Sequence, residues 1–328
     1  MITNVMTKKL ISVVVPCYYE EKVLPQLFER LTKACESWGY LWEVICVDDG
    51  SEDQTLPLLK AFHEKDAHWK ALSLSRNFGH QTAISAGLFH ASGEAVIILD
   101  ADLQDPPEEL HKFISKWEEG YDVVYGIRRN RKENPLKRFC YWAFYRLISK
   151  MVSFNIPLDT GDFCIVSRRM LDALNQMPER NRFLRGMRSW AGFKQIGIPY
   201  ERHERAAGEP KYTFKKLINL ALDGLVSFSG LPLRFSAHIG FVISSVAFLG
   251  VLFTFIQRIF KHFFESIGLG PVPGFATIVI AILFLGGVQF IFLGVIGEYL
   301  FRIFEEVKRR PNWIIKESVG LEPLRPQE

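Results

Sequence analysis

Cysteine is sparse in this chain, and none of it is arranged for metal or disulfide chemistry. The five cysteines, at positions 17, 35, 46, 140 and 164, form no CxxC pair and leave an odd count. That argues against a zinc site with closely paired ligands and against a disulfide framework, and points to free thiols in a reducing compartment. A strong charge imbalance is also missing, since the net charge is only +4, too little to argue for a nucleic-acid partner. The amino terminus lacks a secretory signal, because the apolar run Leu10 to Val15 is short and ends at Pro16. The expectation is a large domain that stays in the cytosol. Neither an internal repeat nor a low-complexity tract occurs, so solenoids and arrays are set aside.

Long apolar runs are absent up to about Ser229 and then dominate from Leu231 to Gly297. The 328 residues suffice for one sizeable core and a second region. Leu233 to Ile256 and Phe275 to Gly297 each exceed the roughly 20 residues needed to cross a bilayer. His238 and Gln289 are the main polar interruptions. Lys215, Lys216, Arg234, Arg302, Lys308, Arg309 and Arg310 flank the pair, which puts both ends in the cytosol and the linker 257–274 outside. The expected organisation is a cytosolic domain over 1–212, a juxtamembrane amphipathic helix over 213–232, a hairpin over 233–300 (about 233–256 and 275–297), and a cytosolic tail over 301–328. That makes a multi-pass protein of the cell's inner membrane.

Arg128 to Lys150 holds eight Lys or Arg residues against the single acid Glu133, interleaved with Phe139, Tyr141, Trp142, Phe144 and Tyr145. Such a segment suits single-stranded nucleic acid or anionic lipid headgroups, and the apolar segments downstream favour lipid. Two stretches show helical apolar spacing, Leu136 to Met151 and Phe214 to Phe228. Each reads as a core helix or as a helix lying in the membrane interface.

In the first hundred residues short β-branched runs alternate with helical patterns: strands near 11–15, 42–47, 70–74 and 95–99, and helices near 21–38, 53–65 and 80–91. This is the rhythm of a doubly wound α/β sheet. Ligands of such sheets bind at the carboxyl ends of the strands, so Asp48, Asp49, Asp100 and Asp102 should face one crevice. The stretch VIILDADLQDPPEEL (96–110) runs a buried strand straight into three aspartates. Asp100 and Asp102, spaced i and i+2 past the strand end, suit either a solvated turn or a hard divalent cation such as Mg²⁺ or Mn²⁺, with Gln104 adding a neutral oxygen.

These pieces, taken in order, resemble the polyprenyl-phosphate glycosyltransferases of family 2, which have the GT-A fold and include dolichyl-phosphate mannose synthases and bactoprenol glucosyltransferases. The resemblance rests on VVVPCYYEE (13–21), VDDGSEDQT (47–55), SRNFGHQTAISAG (75–87), DADLQDPPE (100–108), YGIRR (125–129), DTGDF (159–163) and RAAGEPKY (205–212). It covers the whole soluble domain, and the hairpin looks like the bactoprenol branch. It implies a GT-A, Rossmann-like nucleotide-sugar domain. Pro16, Tyr18, Glu20, Asp48, Asp49, Asp100 and Ala101 would lie at the donor nucleotide. Asp100, Asp102 and Gln104 would hold Mg²⁺ or Mn²⁺ against the diphosphate. Arg128, Arg205 and Lys211 would take phosphate groups, the arginines as planar forks and the lysine as a mobile point charge. Pro210 stands where the family usually has a serine before the Lys-Tyr pair, removing one phosphate donor.

Asp159 and Asp162 of DTGDF are the candidates for the catalytic carboxylate, and the resemblance favours Asp162. A phosphate acceptor is a poor client for a general base, since its second ionisation lies near pH 6, so the carboxylate is expected to orient groups more than to remove a proton. The expected activity is inverting transfer of one hexose, glucose from UDP-glucose, to a polyprenyl (undecaprenyl) phosphate at the cytosolic face. The expected partners are the nucleotide sugar, the lipid acceptor and membrane lipid, with a homo-oligomer left open and no nucleic acid. A GDP-mannose donor and a non-catalytic scaffold that binds nucleotide sugars are the alternatives. A processive synthase would carry QxxRW, and RGMRSW (185–190) lacks the Arg-Trp adjacency.

Overall fold

In the computed structural model, residues 8–129, 160–180, 182–202, 231–268 and 274–321 are described. The chain divides into two compact units, Met1–Gly224 with Arg310–Glu328, and Leu225–Arg309. The first is built on one sheet of eight strands: β1 Leu10–Cys17, β2 Leu41–Asp48, β3 Trp69–Leu74, β4 Ala95–Ile98, β5 Val123–Arg129, β6 Thr160–Ser167, β7 Gln195–Glu201 and β8 Ile315–Val319. Its spatial order is β7-β5-β6-β4-β1-β2-β3-β8.

The centre is parallel, with β1 paired to both β2 and β4, and β2 to β3. Such strands are covered on both faces and read as unbroken apolar runs rather than alternating ones. Ile11, Val13, Val14 and Val15 are accordingly fully buried. Helix α1 (Leu24–Ser37) covers one face by burying Leu24, Leu27, Phe28, Leu31, Ala34 and Cys35 at helical spacing. Phe28 meets Phe62 of α2 (Thr55–Lys65) and Trp69 of β3 at ring separations of 4.5 and 4.9 Å. Helix α3 (His80–His90) lies between β3 and β4 in the chain, and its Ala83, Ile84, Ala86 and Leu88 are fully buried. Full burial of a leucine or isoleucine is worth about 1.5–3 kcal/mol, so this layer fixes the strand ends from which the site is made.

The doubly wound pattern expected from the sequence holds over β1 to β4, but the sheet as a whole is mixed. β6 runs antiparallel to β4 and to β5, and β5 runs parallel to β7. The reversal matters because it brings the beginning of β6 to the edge where β1, β2 and β4 end. Ile98 pairs with Cys164, and two further residues along each strand set Asp100 opposite Asp162.

A second departure is at the carboxyl end. Residues 301–328 read as a tail, yet β8 lies antiparallel on β3, and Ser75 N–H donates to Ile314 O at 2.9 Å. Between β4 and β5 a 3-10 turn (Pro107–Glu109) leads into α4 (Leu110–Glu118). After β6 come α5 (Arg168–Gln176) and α6 (Leu184–Trp190).

The second unit holds α7 (Leu231–Ile259), α8 (Lys261–Ser266) and α9 (Phe275–Val307). Two segments are long and apolar enough to cross a membrane, His238–Gln257 and Phe284–Val307. Phe241 and Phe290 on them are 75% and 76% exposed, so neither side chain is covered by the described residues. Both helices outrun the apolar stretches expected from the sequence. The end of α9 carries Glu298–Arg302 and Glu305–Lys308 ion pairs at helical spacing. The two amphipathic stretches, Leu136 to Met151 and Phe214 to Phe228, lie outside the described residues, as do Asp159, Arg205 and Lys211.

Candidate active site

The crevice at the strand ends opens where β1 and β2 stop together, since Cys17 pairs with Asp48. Pro16 is buried within β1. Tyr18 follows half-buried, with its ring 4.5 Å from that of Tyr19. Tyr19 is 44% exposed and has φ +53°, with its N–H donating to Ser51 Oγ at 3.0 Å. Glu20 N–H donates to Thr55 Oγ1.

Asp48 and Asp49 are buried, and their carboxylates are engaged by the protein itself. Asp48 accepts from Ser51 N–H at 3.0 Å and from Ser73 Oγ at 2.9 Å. Asp49 accepts from Phe78 and Gly79 N–H at 2.7 and 2.9 Å, while burial pushes its pKa up. The pair therefore shapes two loops, 50–54 and 75–79. Gly50 is required between them: at φ +72° a Cβ would lie 2.5 Å from the Arg76 carbonyl carbon.

On the other side of β1, the loop after β4 carries the acidic group. Ala101 is buried, and Asp102 Oδ1 accepts from Gln104 N–H at 3.2 Å. Leu103 between them has φ +57°, a left-handed conformation costing a leucine about 1–2 kcal/mol, and its side chain is buried. Asp100 has a buried Oδ1 with no hydrogen-bond partner. Its pKa is raised to about 6, first by burial and then by the charges of Asp105, Asp162 and Asp102, against the opposing charge of His80.

Asp162, at the start of β6, is the most tightly held carboxylate here. Arg185 of α6 grips it with Nε to Oδ1 at 2.9 Å and Nη2 to Oδ2 at 3.3 Å. Gln81 Nε2 donates to Oδ2 at 2.9 Å, and Gln81 Oε1 accepts the Leu184 N–H at the start of α6. His80 Nε2 stands 3.6 Å from Asp162 Oδ2 and 3.5 Å from Asp100 Oδ1, bridging the two. Burial raises the Asp162 pKa, but the Arg185 charge and the contacts of His80 and Arg185 outweigh it, leaving the group well below the ordinary carboxylate range. For His80 burial acts downward, and contact with Asp162 and the charges of Asp100 and Asp162 lift it to about 9.

His80, Gln81 and Arg185 were not among the residues expected at the site. His80 and Gln81 stand inside SRNFGHQTAISAG, at the start of α3. Arg185 opens RGMRSW, the stretch weighed only for its difference from QxxRW. A glutamine or arginine on a helix is read as solvated by default, and only the reversed β6 shows that these face a buried aspartate. Arg128 of β5 is half-buried, and its Nη2 would lie 2.7 Å from a Cβ at Gly161.

Asp100 and Asp102 fit a divalent cation on one observation of this chain, a buried carboxylate oxygen that accepts no hydrogen bond and lies amid three other carboxylates, with only the His80 ring 3.5 Å away. Among the described residues no group of three His, Cys, Asp or Glu side chains is arranged to hold a metal. The protein would thus supply part of a coordination shell, as is common for Mg²⁺, which shares carboxylates with water and substrate phosphates. A cation there would let the crevice take a phosphate compound on its acidic side.

The α/β domain is that of a glycosyltransferase: the chain belongs to glycosyl transferase family 2, whose model matches residues 12–174. The mixed sheet agrees with the GT-A fold of that family. The chain is 44% identical to an uncharacterized glycosyltransferase of Synechocystis over 96% of this chain and 97% of the relative. It is 41% identical to a prophage-derived bactoprenol glucosyl transferase of Shigella flexneri over 94% of this chain and 98% of the relative. The uncharacterized glycosyltransferase YkcC of Bacillus subtilis is also 41% identical, over 96% and 95%.

Proposed function

We propose that this glycosyltransferase moves one hexose, glucose from UDP-glucose, to a polyprenyl phosphate at the cytosolic face of the cell membrane. The reading is carried by one observation: a bactoprenol glucosyl transferase is similar to this chain over nearly the full length of both, apolar helices included. The two segments His238–Gln257 and Phe284–Val307 form the hairpin that keeps the catalytic unit, residues 1–212 together with strand β8, at the lipid surface.

The reaction in this reading is a single displacement. An acceptor phosphate oxygen attacks the anomeric carbon, the bond from that carbon to the diphosphate breaks, and the electron pair leaves with UDP, so the configuration inverts. Asp100 and Asp102, with Gln104 beside them, would hold Mg²⁺ or Mn²⁺, which when bound would neutralise charge on the diphosphate. Pro16, Tyr18, Glu20 and Ala101 line the nucleotide pocket, with Asp48 and Asp49 fixing its loops. Arg128, Arg205 and Lys211 take phosphate oxygens.

Asp162 is an orienting group in this scheme. A carboxylate held well below its ordinary pKa and bound by Arg185 and Gln81 is a weak base, whereas the acceptor phosphate is largely anionic without help. Arg185, His80 and Gln81 are kept in place around it.

The test is transfer of radiolabelled sugar into the lipid phase by the purified full-length protein, with polyprenyl phosphate and a panel of nucleotide sugars. Label from UDP-glucose is expected, and label from GDP-mannose alone would replace the donor. Binding of nucleotide sugars without any transfer would leave the scaffold reading standing instead.

A further inference from the structure

Behind Arg128 lies a set of buried polar groups that the reaction scheme does not use. Tyr200 of β7 is 2% exposed and Asp105 is 1% exposed, and the Tyr200 hydroxyl donates to Asp105 Oδ1 at 2.5 Å. Arg128 of β5 and Tyr200 of β7 are cross-strand partners in the sheet, which sets the guanidinium beside the phenol. Side by side they form a relay of guanidinium, phenol and carboxylate, in which each charge acts on the next in a buried setting. Arg202, at the end of β7, adds a charge 3.4 Å from Asp105 Oδ1.

Two glycines make room for this arrangement. A Cβ at Gly126 would come within 2.5 Å of the Tyr200 ring, and one at Gly161 within 2.7 Å of Arg128 Nη2. The glycines of YGIRR and DTGDF therefore share one purpose: β5 and β6 give up side chains so that the phenol and the guanidinium can pack. Gly161 is also the residue before Asp162, which places the Arg128 guanidinium alongside the strand that bears the orienting carboxylate.

We propose that Asp105 and Tyr200 are positioning residues for the transfer reaction: through the Tyr200 hydroxyl they hold the Arg128 guanidinium, in the slot left by Gly161, at the angle at which it takes a substrate phosphate. The inference rests on reading Arg128 as a phosphate-binding side chain. The phosphate belongs to the donor diphosphate or to the lipid acceptor, and both offer the same oxygens to an arginine fork.

The experiment measures kcat and both Michaelis constants of the full-length protein with UDP-glucose and undecaprenyl phosphate, for Tyr200→Phe, Gly161→Ala, Arg128→Lys and the Arg128→Lys/Tyr200→Phe double variant. Tyr200→Phe keeps the ring over Gly126 and loses only the hydroxyl. It should raise one Michaelis constant about tenfold, the size of one hydrogen bond to a charged group, with kcat little changed and a lower melting temperature, because the buried Asp105 carboxylate loses its donor. A rise for UDP-glucose assigns Arg128 to the diphosphate, and a rise for the lipid assigns it to the acceptor. Gly161→Ala should raise the same constant. The double variant should be no worse than Arg128→Lys, because the relay acts only through that side chain. Should Arg128→Lys impair binding while Tyr200→Phe leaves both constants unchanged, or should the two effects add, the positioning role is refuted. If Arg128→Lys leaves both constants at wild-type values, the phosphate reading of Arg128 falls, and the inference with it.

Discussion

Asp162→Asn separates an orienting carboxylate from a general base. The substitution keeps the shape of the side chain and removes its charge, leaving Arg185 and His80 facing a neutral amide. Breaking a buried ion pair by removing one partner costs about 3–5 kcal/mol. Arg185 is 26% exposed and His80 37% exposed, so water recovers part of that, and we expect a loss of roughly 2–3 kcal/mol of folding stability. The sign with pH follows from the depressed pKa. The contribution of Asp162 to stability is present above the unfolded carboxylate value and is lost as pH falls through the lower folded value. Thermal unfolding of the Asn variant should therefore be less acid-sensitive than that of the wild type.

For turnover the consequence is sharper. Asp162 stays ionised through neutral and mildly acidic pH, so it contributes no acidic limb there. The limb expected near pH 6 comes from the acceptor phosphate. Asp100, raised to about 6, is the other group in that range, and saturating metal moves its ionisation to lower pH by competing with the proton. The assay is a pH series of kcat at saturating donor, acceptor and metal. We expect Asp162→Asn to lower kcat about 100-fold at every pH, with the limb in place. Disappearance of the limb in the variant would refute the orienting role and restore the general base. Wild-type activity would shift attention to Asp159.

Three further outcomes follow from the site and from the chain beyond it. Excess EDTA should abolish transfer, Mg²⁺ or Mn²⁺ should restore it, and Asp102→Asn should lose most activity with its melting temperature unchanged; full turnover in EDTA would sink the metal reading. In a Cys140→Ser background, where the cysteines at 17, 35, 46 and 164 are buried, a cysteine placed at the exposed Ser266 should react with an impermeant thiol reagent in intact cells. One placed at Ser318 should not, and the reverse pattern would overturn the topology. Deleting 311–328 uncovers the β3 edge and removes the Ser75 to Ile314 bond, so the truncated protein should aggregate and bind UDP-sugar more weakly, because the loop 75–79 that Asp49 holds starts at that bond. Unchanged stability and binding would mean that β8 is dispensable.

Much of the site was legible because its carboxylates follow apolar strands, and a strand's end is where a parallel sheet binds ligands. Asp48, Asp49, Asp100 and Asp102 came from that rule alone. Asp162 came from resemblance, since nothing in its own surroundings says that β6 is reversed; the Ile98 to Cys164 pairing that sets it against Asp100 links residues far apart in the chain. The partners Gln81 and Arg185 were hidden for the same reason, being polar residues on helices whose facing strand was unknown. Strand β8 was missed because IKESV has a single apolar residue at each end, too little alternation to mark an edge strand. The roles of Asp48 and Asp49 as loop-holders could not be read from sequence, where a buried carboxylate bonded to backbone N–H groups looks the same as one that waits for a ligand.

The central claim, single-hexose transfer to a lipid phosphate, is tested most directly by the product itself. Purified full-length protein is incubated with UDP-glucose, Mg²⁺ and undecaprenyl phosphate, and the lipid fraction is analysed by mass spectrometry and by NMR of the anomeric centre. The account predicts a lipid phosphate heavier by one hexose, carrying the sugar with configuration opposite to that in the donor. A lipid bearing several sugars, a retained configuration, or free glucose with unmodified lipid would contradict it.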